Sequence, residues 1–303
     1  MIKNAEPAFG VAGFPPNFFQ SRFGKKREKI FEWLKEIGLN WIELQNTYGV
    51  KMKDEQALLY RELAKEYQIG VSIHAPYYIT LASADKSIRE RSKERILECF
   101  NLAIKLEAKH IIFHPGHFPG TDERSRKEAI EILIEGLLSL QSILPADDIF
   151  LYPETAGKKA QLGSIEEIVE ICSHVKFAHP CIDVAHVHAF RGGTLQTAAS
   201  ISSLFDFIEK LLGTDSLYKT HFHMYPVAVD HTGEKKHKAF ADRIVNQQLN
   251  LFGGDTVDRY FPLAEHFAQA IFDKKLTPSV VCESRNSQDI GALLIKEQYK
   301  KMQ

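Results

Sequence analysis

Eight short apolar runs, each followed by an amphipathic stretch long enough for a helix, set what this chain can fold into. The runs span residues 8–13, 40–45, 70–74, 110–114, 149–154, 181–186, 219–223 and 279–283. The helical stretches span residues 25–37, 55–67, 87–106, 124–144, 165–174, 197–212, 256–272 and 288–301. In the first of these, Ile30, Phe31, Leu34 and Ile37 recur at helical spacing and form one apolar face. Helical crossovers make consecutive strands parallel, and closing eight such units gives a (β/α)8 TIM barrel. An open, doubly wound sheet is the competing arrangement.

The length of 303 residues suits one barrel, a fold that typically needs about 250. No low-complexity stretch, Pro/Gly/Ser linker or composition shift breaks the series, so one domain is expected over residues 1–303. The connection over residues 224–255 is too long for an ordinary loop, and it holds His231, His237 and a charged run. No apolar run approaches the roughly 20 residues of a membrane helix, so no membrane partner is expected. The four cysteines, Cys99, Cys172, Cys181 and Cys282, form no CxxC pair, which points to reduced thiols and a cytoplasmic setting. A net charge of −1 excludes a broadly basic surface. Any nucleic-acid contact must come from a local patch or from metal charge.

Barrel enzymes place their chemistry where strands end, and here the strand ends are polar. The third run ends at His74 and the fourth at His114, with His117 just beyond. The fifth ends at Glu154. The sixth holds Asp183 and His186, the seventh His221 and His223, and the eighth ends at Glu283. One histidine or one glutamate after a strand is ordinary surface chemistry. Six such ends packed into one mouth would be costly without a shared partner. Imidazoles and carboxylates together suit zinc and similar ions, and the absence of cysteine among them fits an open hydrolytic site. The set exceeds one tetrahedral ion, so two or three ions sharing a carboxylate are expected.

The segments HAPYYITLA (74–82), FHPG (113–116), ETAGKKAQLGS (154–164), CIDVAHVHA (181–189), HFHM (221–224), KKHKAF (235–240) and VCES (281–284) together resemble the endonuclease IV family. These are abasic-site endonucleases of the wider xylose-isomerase-like barrel superfamily. The resemblance implies a trinuclear zinc site. His74 and His114 would hold the first ion, and Glu154 would bridge it to a second completed by Asp183, His221 and Glu283. His186 and His237 would sit on a third. Glu154 would also orient the attacking water, and Tyr77 and Tyr78 would wedge into damaged duplex DNA beside the abasic sugar. Cleavage would fall 5′ to that sugar. No obligate protein partner is implied.

The chain departs from the family pattern in three places. Lys235 stands where the family has an aspartate, two residues before His237, and a charged lysine repels a metal ion. That leaves the third site in doubt, with Asp230 and Glu234 as substitutes of unsuited spacing. His223 and Met224 occupy positions after His221 where the family has Asn and Asp, and the spacing to Met224 favours His221 over His223 as ligand. Ala241 and Asp242 replace a Gly-Glu pair. Two other functions fit the same residues. A sugar isomerase or epimerase would need one ion on Glu154, Asp183, His221 and Glu283 and would act on a small sugar. A non-catalytic DNA or metabolite binder would keep the barrel with a damaged site. Arg191 and the lysines at 158, 159, 235, 236 and 238 are candidate phosphate contacts.

Overall fold

The computed structural model describes residues 6–118, 123–144, 148–244 and 258–303. The expected alternation is present. The barrel strands are β1 (Ala8–Ala12), β2 (Trp41–Gln45), β3 (Gly70–His74), β4 (His110–Phe113), β5 (Phe150–Pro153), β6 (Cys181–Asp183), β7 (His221–His223) and β12 (Ser279–Cys282). They form one parallel sheet in the order β5-β4-β3-β2-β1-β12-β7-β6. Parallel bridges Leu151–Ala178 and Glu154–Cys181 join its two ends and close the barrel.

The crossover helices are α2 (Ile30–Ile37), α3 (Asp54–Tyr67), α4 (Lys86–Leu106), α5 (Glu123–Leu138), α6 (Ile165–His174), α8 (Ala198–Leu212), α10 (Ala264–Asp273) and α11 (Gln288–Lys300). Local chemistry fixes several of their ends. Asp85 caps α4 by accepting from the Ser87 amide. Ser164 and Glu167 form a capping box on α6, and Arg126 of α5 grips the Glu167 carboxylate. Three shorter helices are added: α1 (Pro16–Gln20), α7 (Val184–Phe190) and α9 (Thr214–Tyr218).

Strand-helix packing supplies the main core. Val11, Ile42, Ile73, Ile111, Leu151, Ile182, Phe222 and Val280 alternate outward from the strands and are buried against the helices. The barrel interior is different. Barrels usually fill it with branched aliphatic side chains. Here Trp41, His110, Tyr152 and His221 meet ring to ring across it, with Glu43, Ser72 and Ser279 among them. A Cβ on Gly70 would fall 2.1 Å from the Trp41 ring, so that position must lack a side chain to admit the indole, and one on Gly10 would fall 2.1 Å from the Trp41 carbonyl oxygen on the neighbouring strand.

Several boundaries differ from expectation: α2 begins only at Ile30 and α5 ends already at Leu138. The sixth strand stops at Asp183 because its side chain accepts from the His186 amide and starts α7 at once. The helix expected over 256–272 is found only from Ala264, just past Pro262; residues 256 and 257 lie outside the described segments. The connection after β7, described up to residue 244, holds a hairpin, β8 (Val227–Asp230) and β9 (Gly233–His237). The two-residue strands β10 (Arg243–Ile244) and β11 (Asp258–Arg259) pair beyond it.

Candidate metal centre

The C-terminal ends of the strands bring almost all the expected residues into one buried mouth. Glu154, one residue past β5, stands at its middle and is fully buried. Its Oε2 lies 3.1 Å from His74 Nε2 and 3.3 Å from His114 Nδ1. Its Oε1 lies 3.1 Å from His223 Nδ1 and 3.4 Å from His186 Nδ1. The two oxygens of one carboxylate therefore face two sets of imidazoles.

Three groups of donor atoms result. His74, His114 and Glu154 form the first, and Glu154, Asp183, His223 and Glu283 the second. His186, Glu234 and His237 form the third. Within each, the donor atoms lie within 4.8 Å of one another. A fourth combination, Glu43, His221 and His223, lies deeper in the barrel.

His223, not the favoured His221, is the strand-seven residue beside Asp183 and Glu283. The register explains this. His223 pairs with Asp183 and His221 with Cys181, one rung further down. Both rings face inward, but His221 bonds Ser279 Oγ at 2.6 Å and Glu43 at 3.1 Å instead of reaching the mouth.

The third group is closed by Glu234, which spacing alone disfavours. Glu234 lies 3.1 Å from His186 Nε2 and 3.0 Å from His237 Nε2. Regular alternation on β9 would put Lys235 on the same face as His237. The hairpin register shifts at Ala228/Val229, so that Ala228 pairs with Lys236 and Val229 with Glu234. The extra residue, Lys235, slips the alternation by one and turns Glu234 toward His237. Lys235 is left exposed. The hairpin is seated by backbone contacts, Glu234 N donating to Gly157 O and Lys159 N to Thr232 O. Gly157 and Gly233 make the approach close enough. A Cβ at Gly157 would lie 2.6 Å from Glu234 Oε2, and one at Gly233, where φ is +115°, would lie 2.2 Å from the Gly157 carbonyl.

The ring orientations are fixed from behind. The Nδ1–H of His74 donates to Ala75 O at 2.9 Å, that of His186 to Thr155 O at 2.8 Å, and that of His237 to Glu283 O at 3.0 Å. A carbonyl only accepts, so Nδ1 carries a proton in each of these three rings, and Nε2 is the nitrogen turned toward the mouth, the one that could give up its proton to an ion.

The electrostatics reflect carboxylates and imidazoles buried against one another. Burial alone would raise Glu154, but the charges of His114 and His223 outweigh it and hold the carboxyl well below its usual range. Burial would lower His74, yet its hydrogen bond to Glu154 lifts it to about 9. His114 makes no such bond, and burial takes it down to about 4. Burial is the main cause that brings Asp183 up to about 6. His237 is lifted to about 9 against its burial by Glu234 and Glu283.

Among the buried atoms of the mouth, His114 Nδ1 and Asp183 Oδ2 make no hydrogen bond, although each lies 3.3 Å from a charged neighbour, Glu154 Oε2 and His186 Nδ1 respectively. Buried polar atoms are normally satisfied. One of these orphans belongs to the first group and the other to the second, so both are placed to satisfy themselves on a cation. The donor set, nitrogen and carboxylate oxygen without sulfur, fits zinc or a similar divalent ion.

Other expected residues fall outside the cluster. His117 and His231 are exposed, and Asp230 is engaged with Thr232. Arg191 pairs with Glu166. Tyr77 and Tyr78 lie on the rim, 61% and 39% exposed. Tyr77 packs its edge against His114, and Arg95 covers the Tyr78 ring at 4.1 Å. Glu43 is the residue that sequence reasoning misses. The available signal is an acidic residue at an inward position of WIELQ, between Trp41 and Gln45.

Comparison with known proteins agrees with the barrel fold. Residues 31–300 match the family described as Xylose isomerase-like TIM barrel. An uncharacterized protein of Methanocaldococcus jannaschii is 26% identical over 288 residues, 95% of each chain. A probable endonuclease 4 of Aquifex aeolicus is 29% identical over 178 residues, 57% of this chain and 61% of that one. The chain thus aligns with less than two thirds of the length of that relative. Among solved structures, endonuclease IV from Thermus thermophilus superposes with a TM-score of 0.67 at 16% identity, covering 98% of this chain and all of the other. A D-tagatose 3-epimerase-like protein gives 0.66 at 16% identity, covering 97% and 96%. Among the described residues, no helix is long and apolar enough to cross a membrane.

Proposed function

This chain belongs to the Xylose isomerase-like TIM barrel family, and on that premise we propose that it is a zinc-dependent phosphodiesterase that cuts duplex DNA 5′ to abasic sites. The observation that carries the reading is the Glu154 carboxylate facing two ligand groups, with a third group against its flank. A single-ion sugar enzyme needs only the second group. His74 and His114 have no task in such an enzyme, whereas a multi-ion hydrolase needs both.

Bound ions would supply Lewis acidity and lower the pKa of a water, the chemistry of in-line phosphoryl displacement. The chain's own residues do the rest. Glu154 spans the first two groups. Carbonyl-anchored His74, His186 and His237 hold their Nε2 atoms in place without reorganisation. Tyr77, exposed beside His114, and its neighbour Tyr78, backed by Arg95, offer aromatic rings where a flipped-out sugar would leave a gap in the base stack. Exposed Lys158 and Lys159, next to the Glu154 loop, offer phosphate contacts that a chain of net charge −1 must supply locally. Four unpaired thiols fit a cytoplasmic setting.

A second reading rests on Glu154, Asp183, His223 and Glu283, which alone would suit one ion in a sugar epimerase. Metal content of protein purified without chelator separates the two. The nuclease reading expects two or three zinc ions per chain and cleavage of a synthetic abasic duplex that chelator abolishes. Intact duplex with fully metallated protein would overturn it. One ion together with proton exchange on a ketose would establish the epimerase, and tight DNA binding without turnover would mark a non-catalytic binder.

A further inference from the structure

Three mouth histidines are anchored by carbonyls through Nδ1, but His223 is reversed. Its Nδ1 faces the second group, 3.1 Å from Glu154, 3.8 Å from Glu283 and 4.0 Å from Asp183. Its Nε2 points down the barrel at Glu43, 3.2 Å from Oε1 and 3.3 Å from Oε2. We propose that Glu43 is a positioning residue that holds the His223 ring as its Nε2–H tautomer and so presents an unprotonated Nδ1 to the metal centre. The inference rests on the metal-centre reading above.

Glu43 is fully buried inside the barrel, where a carboxylate survives only if its oxygens are satisfied. Ser72 Oγ donates to Oε2 at 3.0 Å, and the same hydroxyl accepts from Trp41 Nε1 at 3.0 Å. Gln45 Nε2 donates to Oε1 at 3.2 Å. His221 Nε2 lies 3.1 Å from Oε2, its other nitrogen held by Ser279 Oγ at 2.6 Å. This network fills the space that aliphatic side chains take in other barrels. It fixes Glu43 as an acceptor opposite Nε2; Glu154 likewise faces Nδ1, so it is an ion taken up at Nδ1 that would leave the ring's one proton on Nε2, where Glu43 accepts it. A carboxylate behind a ligating imidazole sets its tautomer and raises its basicity. His74, His186 and His237 rest on carbonyls instead. His221 acquires a role as well: it holds Glu43, and it does not itself ligate.

The test reads ligation rather than turnover. In zinc-loaded wild-type protein with 15N-labelled histidine, long-range 1H–15N spectra should place the His223 proton on Nε2, the resonance being assigned by its loss in His223→Gln. In Glu43→Gln, cobalt titration should show one ion weakened by about 10- to 100-fold with a changed visible spectrum, the other ions binding as before. A proton on Nδ1 of His223 overturns the proposal, and this holds even if Glu43→Gln fails to fold. So does a folded Glu43→Gln with unchanged cobalt affinity and spectrum. Wild-type protein that binds no ion at this group instead overturns the metal-centre reading, so the two failures are distinct.

Discussion

The first two ligand groups and the third are built on different principles. His74, Asp183 and His223 are the last residues of β3, β6 and β7, and His114, Glu154 and Glu283 each follow a strand by one residue. A closed parallel ladder sets their spacing, so their geometry is as rigid as the barrel. The third group hangs from a helix and a hairpin. His186 lies in the first turn of α7, and Glu234 and His237 ride on β9. Their spacing depends on a bulge and on two glycines that let the hairpin touch the Glu154 loop. Strand ends fix ligands by fold, and loops fix them by local adjustment. The second kind tolerates a change such as Lys235, because a one-residue slip brings another carboxylate into place.

The strongest way to break this contrast is at the shared residue. Glu154→Gln should disable both strand-borne groups at once and leave the third formed. Metal analysis should show at least one ion lost, and cleavage of abasic duplex should fall by more than the roughly 100-fold expected for a second-sphere change. Retained activity would mean that Glu154 does not join the groups.

Next comes the strand-seven pair. His223→Ala should lose the ion of the second group. His221→Ala should keep its ions but lose stability, on the order of 1–3 kcal/mol for buried partners left unsatisfied, measured by denaturant unfolding. The reverse pattern would make His221 the ligand.

Much of this is legible in the sequence, and the rest is hidden for definite reasons. The barrel can be read because apolar runs and helical faces alternate without interruption. His74, His114, Glu154, Asp183 and Glu283 can be placed because strand ends in a barrel converge. The depth of His221 against His223 cannot, because period two puts both on one face and only the register with Cys181 and Asp183 decides. Strand six reads too long because Asp183 both ends the strand and caps α7. Glu234 is hidden by the bulge, which breaks the periodicity that sequence reading relies on. Glu43 is hidden because acidic residues are not expected inside a barrel.

A smaller effect follows from protonation. His74 and His237 stand at about 9, above the ordinary histidine value of about 6.5. In ion-free protein each adds stability that is fully present below about pH 6.5 and is lost as pH rises through about 9. Zinc needs these rings unprotonated, so its contribution grows over the same range. The unfolding temperature of chelator-stripped protein should therefore fall between about pH 6.5 and 9, while the gap to zinc-loaded protein widens. A constant gap would mean that these histidines do not ligate.

The finest test separates the third group from the first two. Gly157→Ala places a Cβ 2.6 Å from Glu234 Oε2 and 2.7 Å from His186 Cδ2, so Glu234 must withdraw while the strand ends stay in place. Metal analysis should show the loss of one ion at most, with the other groups unaffected. Lys235→Ala should do nothing to metal content, because the bulge leaves that side chain in solvent. If Lys235→Ala instead raises the number or affinity of bound ions, the lysine's charge is felt at His237 and the third group is weaker than its geometry implies. If Gly157→Ala disturbs all the ions equally, hairpin and barrel act as one unit, and the distinction between fold-fixed and loop-adjusted ligands fails.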